Sequence, residues 1–164
     1  MGEVTGLYEY PFTGGLPNSL ESMLVCAAGP DGNRRFVAYD PENGEAVSQR
    51  HCNAFYGATA VAAAGSLEIV WRDGSSLVVP AEQDGELVTV SEYDVLTPLI
   101  DMGDKVAHSL STYAGRDLRL PALLRGYRRD LLVNPLRRLN IGGRWRKPVA
   151  STAYGRLLGP GTGW

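Results

Sequence analysis

Cysteine is scarce in this sequence: Cys26 and Cys52 are the whole complement. Two isolated cysteines cannot supply the roughly four ligands of a structural zinc site, so no metal is expected and both read as free thiols. No stretch approaches the ~18 consecutive apolar residues of a membrane-spanning helix. Met1-Gly2-Glu3 is acidic and leads into no apolar run, so no secretory leader is expected. Gly2 makes no acylation site, because Gly6 stands where that pattern needs Ser or Thr. A phosphate-binding P-loop, a Gly-x-Ser-x-Gly elbow and a dinucleotide fingerprint are all missing. These absences point to a soluble, cytoplasmic protein that carries out no familiar cofactor chemistry.

What is present is enough for one folded domain, or one domain with an arm. Of 164 residues 44% are hydrophobic, which permits a sizeable core without a disulfide or metal staple. Twenty glycines and ten prolines imply many turns. The formal net charge of −2 hides a division. Residues 1–124 carry seven Lys/Arg against seventeen Asp/Glu, a net −10, whereas residues 125–164 carry nine against Asp130 alone, a net +8.

Short runs rich in Val, Tyr, Phe and Thr recur through the acidic part: "VTGLYEY", "ESMLVCAA", "RRFVAYD", "NAFYGATAVAA", "SLEIVWR", "SLVVPA" and "ELVTVSEY". Turn signals such as "GPDGN", "DPENGE" and "EQDGE" separate them, and in "RDGS" the pair Asp73-Gly74 suits a tight primed hairpin turn. Seven or more strands at this spacing predict a mainly β fold, a small barrel or sandwich. Val106, Leu110 and Tyr113 then fall on one helical face, so an amphipathic helix is expected over about 103–115, stopping at Gly115. "DLRL" (117–120) reads as a short strand. Residues 125–164 read as a basic, partly helical arm.

Candidate chemistry is thin. The loop after Tyr10, Pro11 to Gly15, can bring backbone close to another group, yet Thr13 is its one hydroxyl and it holds no cation. Arg34, Arg35 and Arg50 stand at strand ends, where bidentate guanidinium forks could form an anion pocket. His51 and Cys52 are neighbours that point apart in an extended strand, so they cannot form a thiolate–imidazolium pair. The candidate catalytic residues are His51, Tyr10 and Glu92. Tyr10, Thr13, Arg34 and Arg50 are the candidate ligand contacts.

The order of five of these segments resembles the N-terminal β-barrel domain of the MOSC family, over about residues 4–120. They are Tyr10-Pro11-Phe12-Thr13-Gly14, an apolar strand, "GPDGNRRFVAYD", "VSQRHCNAF" and "LTPLIDMGDKVAHSLSTYAGRDLRL". The resemblance implies a β-barrel and an ancestral pterin-phosphate site. Family members place a lysine and a serine after Tyr-Pro and an Asp-Arg pair in the turn. Here those positions are Thr13, Gly14, Asn33 and Arg34, so only the arginine survives, with Arg50 as a second cation. The family's catalytic domain, with its molybdenum-ligating cysteine, has no counterpart after residue 120.

The resemblance and its departures imply a barrel reused to bind a small organic molecule without a cofactor. Such a barrel could act as a cyclase-like tailoring enzyme of bacterial specialised metabolism. Tyr8, Tyr10, Phe36, Tyr56, Trp71 and Tyr93 are the expected lining of its mouth or lumen. The alternative is an accessory subunit that docks on a separate MOSC-type or other enzyme chain through the basic arm; a homodimer is also open. Trp145 between Arg144 and Arg146 hints at nucleic acid, but the −10 barrel would repel the same phosphates.

Overall fold

A computed structural model describes residues 2–123, apart from 27–28, 64–65, 81–84 and 94. Within them β1 (Leu7–Glu9) pairs with β2 (Asn18–Leu20), and β3 (Val25–Cys26) with β4 (Gly29–Pro30). β5 (Ala38–Asp40) and β6 (Glu45–Val47) precede a single 3-10 turn at Asn53–Phe55. A three-stranded antiparallel sheet follows, β7 (Thr59–Ala63), β8 (Ser66–Val70) and β9 (Ser76–Pro80). β10 (Leu87–Glu92), β11 (Val95–Asp101), α1 (Asp104–Ala114) and β12 (Pro121–Leu123) complete the described fold.

Five strands run in the order β12-β11-β10-β6-β5, and the two outer members of that row meet. Tyr39 and Arg119 exchange backbone hydrogen bonds of 2.9 and 3.0 Å, Val37 N donates to Pro121 O at 3.2 Å, and Leu123 N donates to Arg35 O at 2.7 Å. The row therefore closes into a ring, which removes its edges. Alternation then sorts the side chains. Val37, Tyr39, Val90 and Leu99, with Ala46, Val88 and Leu123, pack together as the ring's interior. Phe36, Ala38, Val47 and Ala122 point outward into a larger core beneath the β7–β8–β9 sheet and α1. A ring of five strands is narrower than the eight or so whose lumen holds a ligand, and its own side chains fill it.

The larger core is built on aromatic contacts. Phe12 and Phe55 are fully buried and meet edge to face at 5.2 Å. Trp71 stacks on Phe55 at 5.9 Å and on Tyr113 of α1 at 4.4 Å. Such pairs contribute about 0.5–1.5 kcal/mol each beyond the area they bury. Of the predicted face, Val106 and Leu110 are buried and Tyr113 packs partly buried against the core, and Ala107 joins them. Ser111 ties the chain beyond the helix, accepting from Leu118 N at 3.0 Å and donating to Leu118 O at 2.9 Å.

One end of the ring is sealed by charge. Asp101, 4% exposed, receives Arg119 in a two-point fork, with Nε to Oδ2 and Nη2 to Oδ1 both at 2.8 Å. Arg119 Nη2 also donates to Asp104 at 2.9 Å, and Gly103 N donates to Asp101 Oδ1 at 2.7 Å. Burial pushes the Asp101 carboxyl upward, but the hydrogen bonds from Arg119 and Gly103 and the guanidinium charge outweigh it and hold it below the ordinary value. Tyr39 beside it is raised, by burial first and then by the Asp101 charge.

The structure departs from the sequence reading in several places, and the short strands β2, β4 and β6 form where that reading names none. The sequence reading names no strand where β11 forms around Pro98; β12 pairs only with Leu99–Asp101, so the missing N–H of Pro98 breaks no rung on that side. The run beginning "NAFYG" opens as the 3-10 turn, and strand starts only at Thr59. "ESMLVCAA" contracts to the two residues of β3. "DLRL" contributes one bridge, Arg119 to Tyr39, and strand proper begins at Pro121. The β8–β9 connection is longer than a two-residue primed turn: Trp71 N bonds Ser75 O at 2.8 Å and Gly74, at φ 84°, bonds back to Trp71 O. Asp73 holds that loop by accepting from Ser75 N and Oγ. The basic arm, residues 125–164, and the Cys26 side chain lie outside the described residues.

Candidate functional site

The opposite end of the ring holds a cleft of about 200 Å³, lined by Thr13, Glu45, Ala46, Val47, Ser48, His51, Ser91, Glu92 and Tyr93. Three pieces of chain build it. β6 supplies Glu45–Val47 and runs into a turn organised by Ser48, whose carbonyl accepts from His51 N at 2.9 Å and Cys52 N at 3.0 Å. Ser48 N in turn donates to His51 Nδ1 at 3.4 Å, which leaves the ring's Nε2 as the proton-bearing atom of the neutral imidazole. The second piece is the end of the β10–β11 hairpin. Register pairs Glu92 with Val95, so its loop is two residues long, and Tyr93 takes φ 53° as a tight hairpin demands.

The third piece is the Pro11–Gly15 loop. It is tied to the strand at Phe36, with Thr13 N donating to Phe36 O at 2.8 Å and Phe36 N to Pro11 O at 3.0 Å. Gly14 sits at φ +99°, and a Cβ there would lie 3.0 Å from Gln49 N. The glycine therefore exists to let this loop press on the Ser48 turn, not to cradle a phosphate. Thr13 is 8% exposed, and its Oγ1 is shielded from solvent and has no hydrogen-bond partner. A buried hydroxyl without a partner costs about 1–3 kcal/mol, and this one belongs to a residue that lines the cleft while lying itself behind the opening.

The structure thus brings together Thr13, His51 and Glu92 from the residues singled out in the sequence. Glu92, 7% exposed, lies on the inward face of β10, two residues beyond Val90 of the ring interior. Tyr10, Arg34 and Arg50 do not line the cleft. Tyr10 is 36% exposed and is bonded through its backbone to Asn33 and Arg34, at 2.9 and 2.6 Å. Arg34 and Arg50 are exposed. His51 and Cys52 diverge as expected, but in a turn rather than a strand: Cys52 is a buried free thiol of the core and His51 is exposed. The aromatic lining does not assemble. Phe36 and Trp71 are core, whereas Tyr8, Tyr56 and Tyr93 are more than half exposed. Glu45, Ser48 and Ser91 went unnoticed in the sequence. Ser48 had a signal, since a serine in a turn can gather the amides that follow it; the other two had none.

The fold and the site define a mainly β, barrel-like protein with a hydrogen-bonding cleft at one end of a closed strand ring. No family model matches the sequence, and no curated protein matches it. Among solved structures, the solution structure of a Bordetella bronchiseptica protein, a structural genomics target, is similar at 16% identity and a TM-score of 0.46. The match covers 59% of this chain and 82% of that one. Among the described residues no helix is long and apolar enough to cross a membrane.

Proposed function

We propose that this protein is a small-molecule-binding barrel, and that its ligand sits in the Thr13–His51–Glu92 cleft at the ring's end. Among the described residues the ring's interior is packed with its own side chains and the expected aromatic lining is divided between core and surface, whereas the ring's end offers a cleft. The observation that carries this reading is the cleft itself, whose lining residue Thr13 keeps a buried, unpartnered Oγ1 that a turn of its side chain would bring to the opening. A polar group held at a cost to the free protein is what a site built for a ligand retains. The remaining wall, with two serines, two glutamates and a histidine, suits hydrogen bonding more than an apolar polyene. Conversion of the ligand would fall to His51, whose Nε2–H is free of the Ser48 turn and can donate a hydrogen bond to the reacting group. On this reading the barrel keeps the segment order of a MOSC N-terminal domain while its site uses other residues.

The Thr13→Val substitution tests it with two readouts. Removing the orphaned hydroxyl at nearly constant shape is expected to stabilise the free protein by about 1 kcal/mol in chemical denaturation. The same variant should fail to retain whatever small molecule the wild-type protein captures from the small-molecule fraction of a bacterial extract, read by native mass spectrometry. A ligand held equally by both proteins, or a stoichiometric pterin phosphate, would place binding elsewhere and end this reading.

A further inference from the structure

We propose that the outer face of the β10–β11 hairpin is a docking surface for the chain's own basic arm, through the segment 128–141. Alternation defines the face. Val88, Val90 and Leu99 point into the ring, so Leu87, Thr89 and Ser91 on β10 and Leu96, Pro98 and Ile100 on β11 point out. Register sets them in three rungs, Leu87 with Ile100, Thr89 with Pro98 and Ser91 with Leu96. Elsewhere the ring turns outward residues into the larger core, as Phe36, Ala38, Val47 and Ala122 do. None of these six belongs to either core cluster of the described residues, and Leu87 and Leu96 are 57% and 46% exposed.

The described chain ends at the border of this face. Leu123 pairs with Leu99, and Met102 N donates to Leu120 O at 3.1 Å, so the bonded rungs between β11 and β12 join 102 to 120 and 100 to 122. The next bonded rung would set residue 124 against Pro98, which has no N–H to give. The ladder therefore loses its support just where residues 124–164 remain to be placed. Leu96 lies three residues further along β11, about 10 Å at ~3.4 Å per residue, within easy reach of the segment 128–141.

Charge and composition choose the occupant. Glu82, Asp84 and Glu86 precede β10 in the sequence, Asp94 follows it, and no Lys or Arg stands between Arg72 and Lys105. The segment 128–141, "RRDLLVNPLRRLNI", carries Arg128, Arg129, Arg137 and Arg138 around an apolar middle, so it can cover the leucines and meet the carboxylates together. A second copy laid face to face would instead bring an identical acidic hairpin with no cation to offset it. Tethering favours the arm further, since a short link holds it near the face at an effective concentration on the order of mM. The −10 of residues 1–124 and the +8 of the arm then offset one another within one chain, leaving its net −2.

A nitroxide on the full-length chain tests this. Asn134→Cys in a Cys26→Ser background takes the label alone, because Cys52 is a buried thiol of the core. The amide signals of Leu87, Thr89, Leu96 and Ile100 are expected to be lost by paramagnetic broadening, while those of β7–β9 are kept. Leu87→Ser with Leu96→Ser changes only exposed side chains, so the fold should hold and the signals of Thr89 and Ile100 should return. Changing Arg128, Arg129, Arg137 and Arg138 together to Gln should restore them as well. Broadening at another face, or at none, would overturn the proposal. Broadening that appears only when labelled chains are mixed with isotope-enriched chains lacking the nitroxide would give the face to the arm of a second copy, and would overturn it equally. These readouts involve no ligand, so they stand apart from the extract experiment with Thr13→Val.

Discussion

The two ends of the strand ring treat their buried polar groups differently. At one end Asp101 is buried and clamped by Arg119, with Asp104 and the Gly103 amide completing the set. At the other, Thr13 is similarly buried and its hydroxyl finds no partner among the described residues. Satisfied polar groups rigidify a fold, whereas a polar group left unsatisfied lowers stability and persists where something else requires it. The Asp101 end is therefore the structural end, and the opposite end is the one proposed to take a ligand.

Breaking the structural end should have the largest effect. Arg119→Met leaves Asp101 buried with only a backbone amide, and a cost of about 3 kcal/mol is expected, the low end for a buried pair because Arg119 itself is partly exposed. Denaturant midpoints measure it. The pH dependence has a definite sign. The Asp101 carboxyl is lower in the folded protein than its unfolded value near ~3.9, so its contribution is full above that value and is lost as pH falls through the lower, folded one. Wild-type stability should drop below about pH 4, and Arg119→Met should flatten that drop. An unchanged acid limb in the variant would mean that other carboxyls govern it.

The glycines sharpen the same contrast. A Cβ on Gly85 would stand 1.9 Å from the backbone oxygen of Asp101, and one on Gly14 would stand 3.0 Å from Gln49 N. Gly85→Ala should cost about 3 kcal/mol, and Gly14→Ala about 2 kcal/mol, the latter from its positive φ together with the contact. The second change should also move the Ser48 turn away from Thr13, visible as shifted amides at Ser48 and His51 with the Asp101 end untouched. Equal disturbance of both ends by Gly14→Ala would mean the two are not separable.

Much of this was legible in advance, and the part that was not has physical reasons. Alternation and turn residues revealed the strands from Ser66 to Glu92, and a three-residue stripe revealed α1. Ring closure was invisible, because it depends on single hydrogen bonds between residues 35–39 and 119–123, far apart in the chain. Pro98 hid β11, since local chemistry cannot tell which rungs of a strand are used. Of the site, Thr13, His51 and Glu92 were noticed one at a time, but their meeting is a consequence of that closure and of the Gly14 contact. The arginines drew attention because they are conspicuous in an acidic stretch, not because the topology brings them to the cleft.

Tyr93 offers the smallest and most discriminating change. It holds φ 53°, a conformation that costs a bulky residue more than an asparagine, whose short side chain tolerates it. Tyr93→Asn should therefore relieve backbone strain and raise stability by about 0.5 kcal/mol, less any contribution from the aromatic ring's own contacts. If the ring serves the ligand, the same variant should retain the small molecule captured from the extract more weakly even as it unfolds later. A tyrosine kept only to hold the hairpin would show the opposite pairing, with stability falling and ligand affinity unchanged. The two measurements on one variant therefore separate a residue retained for the fold from one retained, at a cost to the fold, for what enters the cleft.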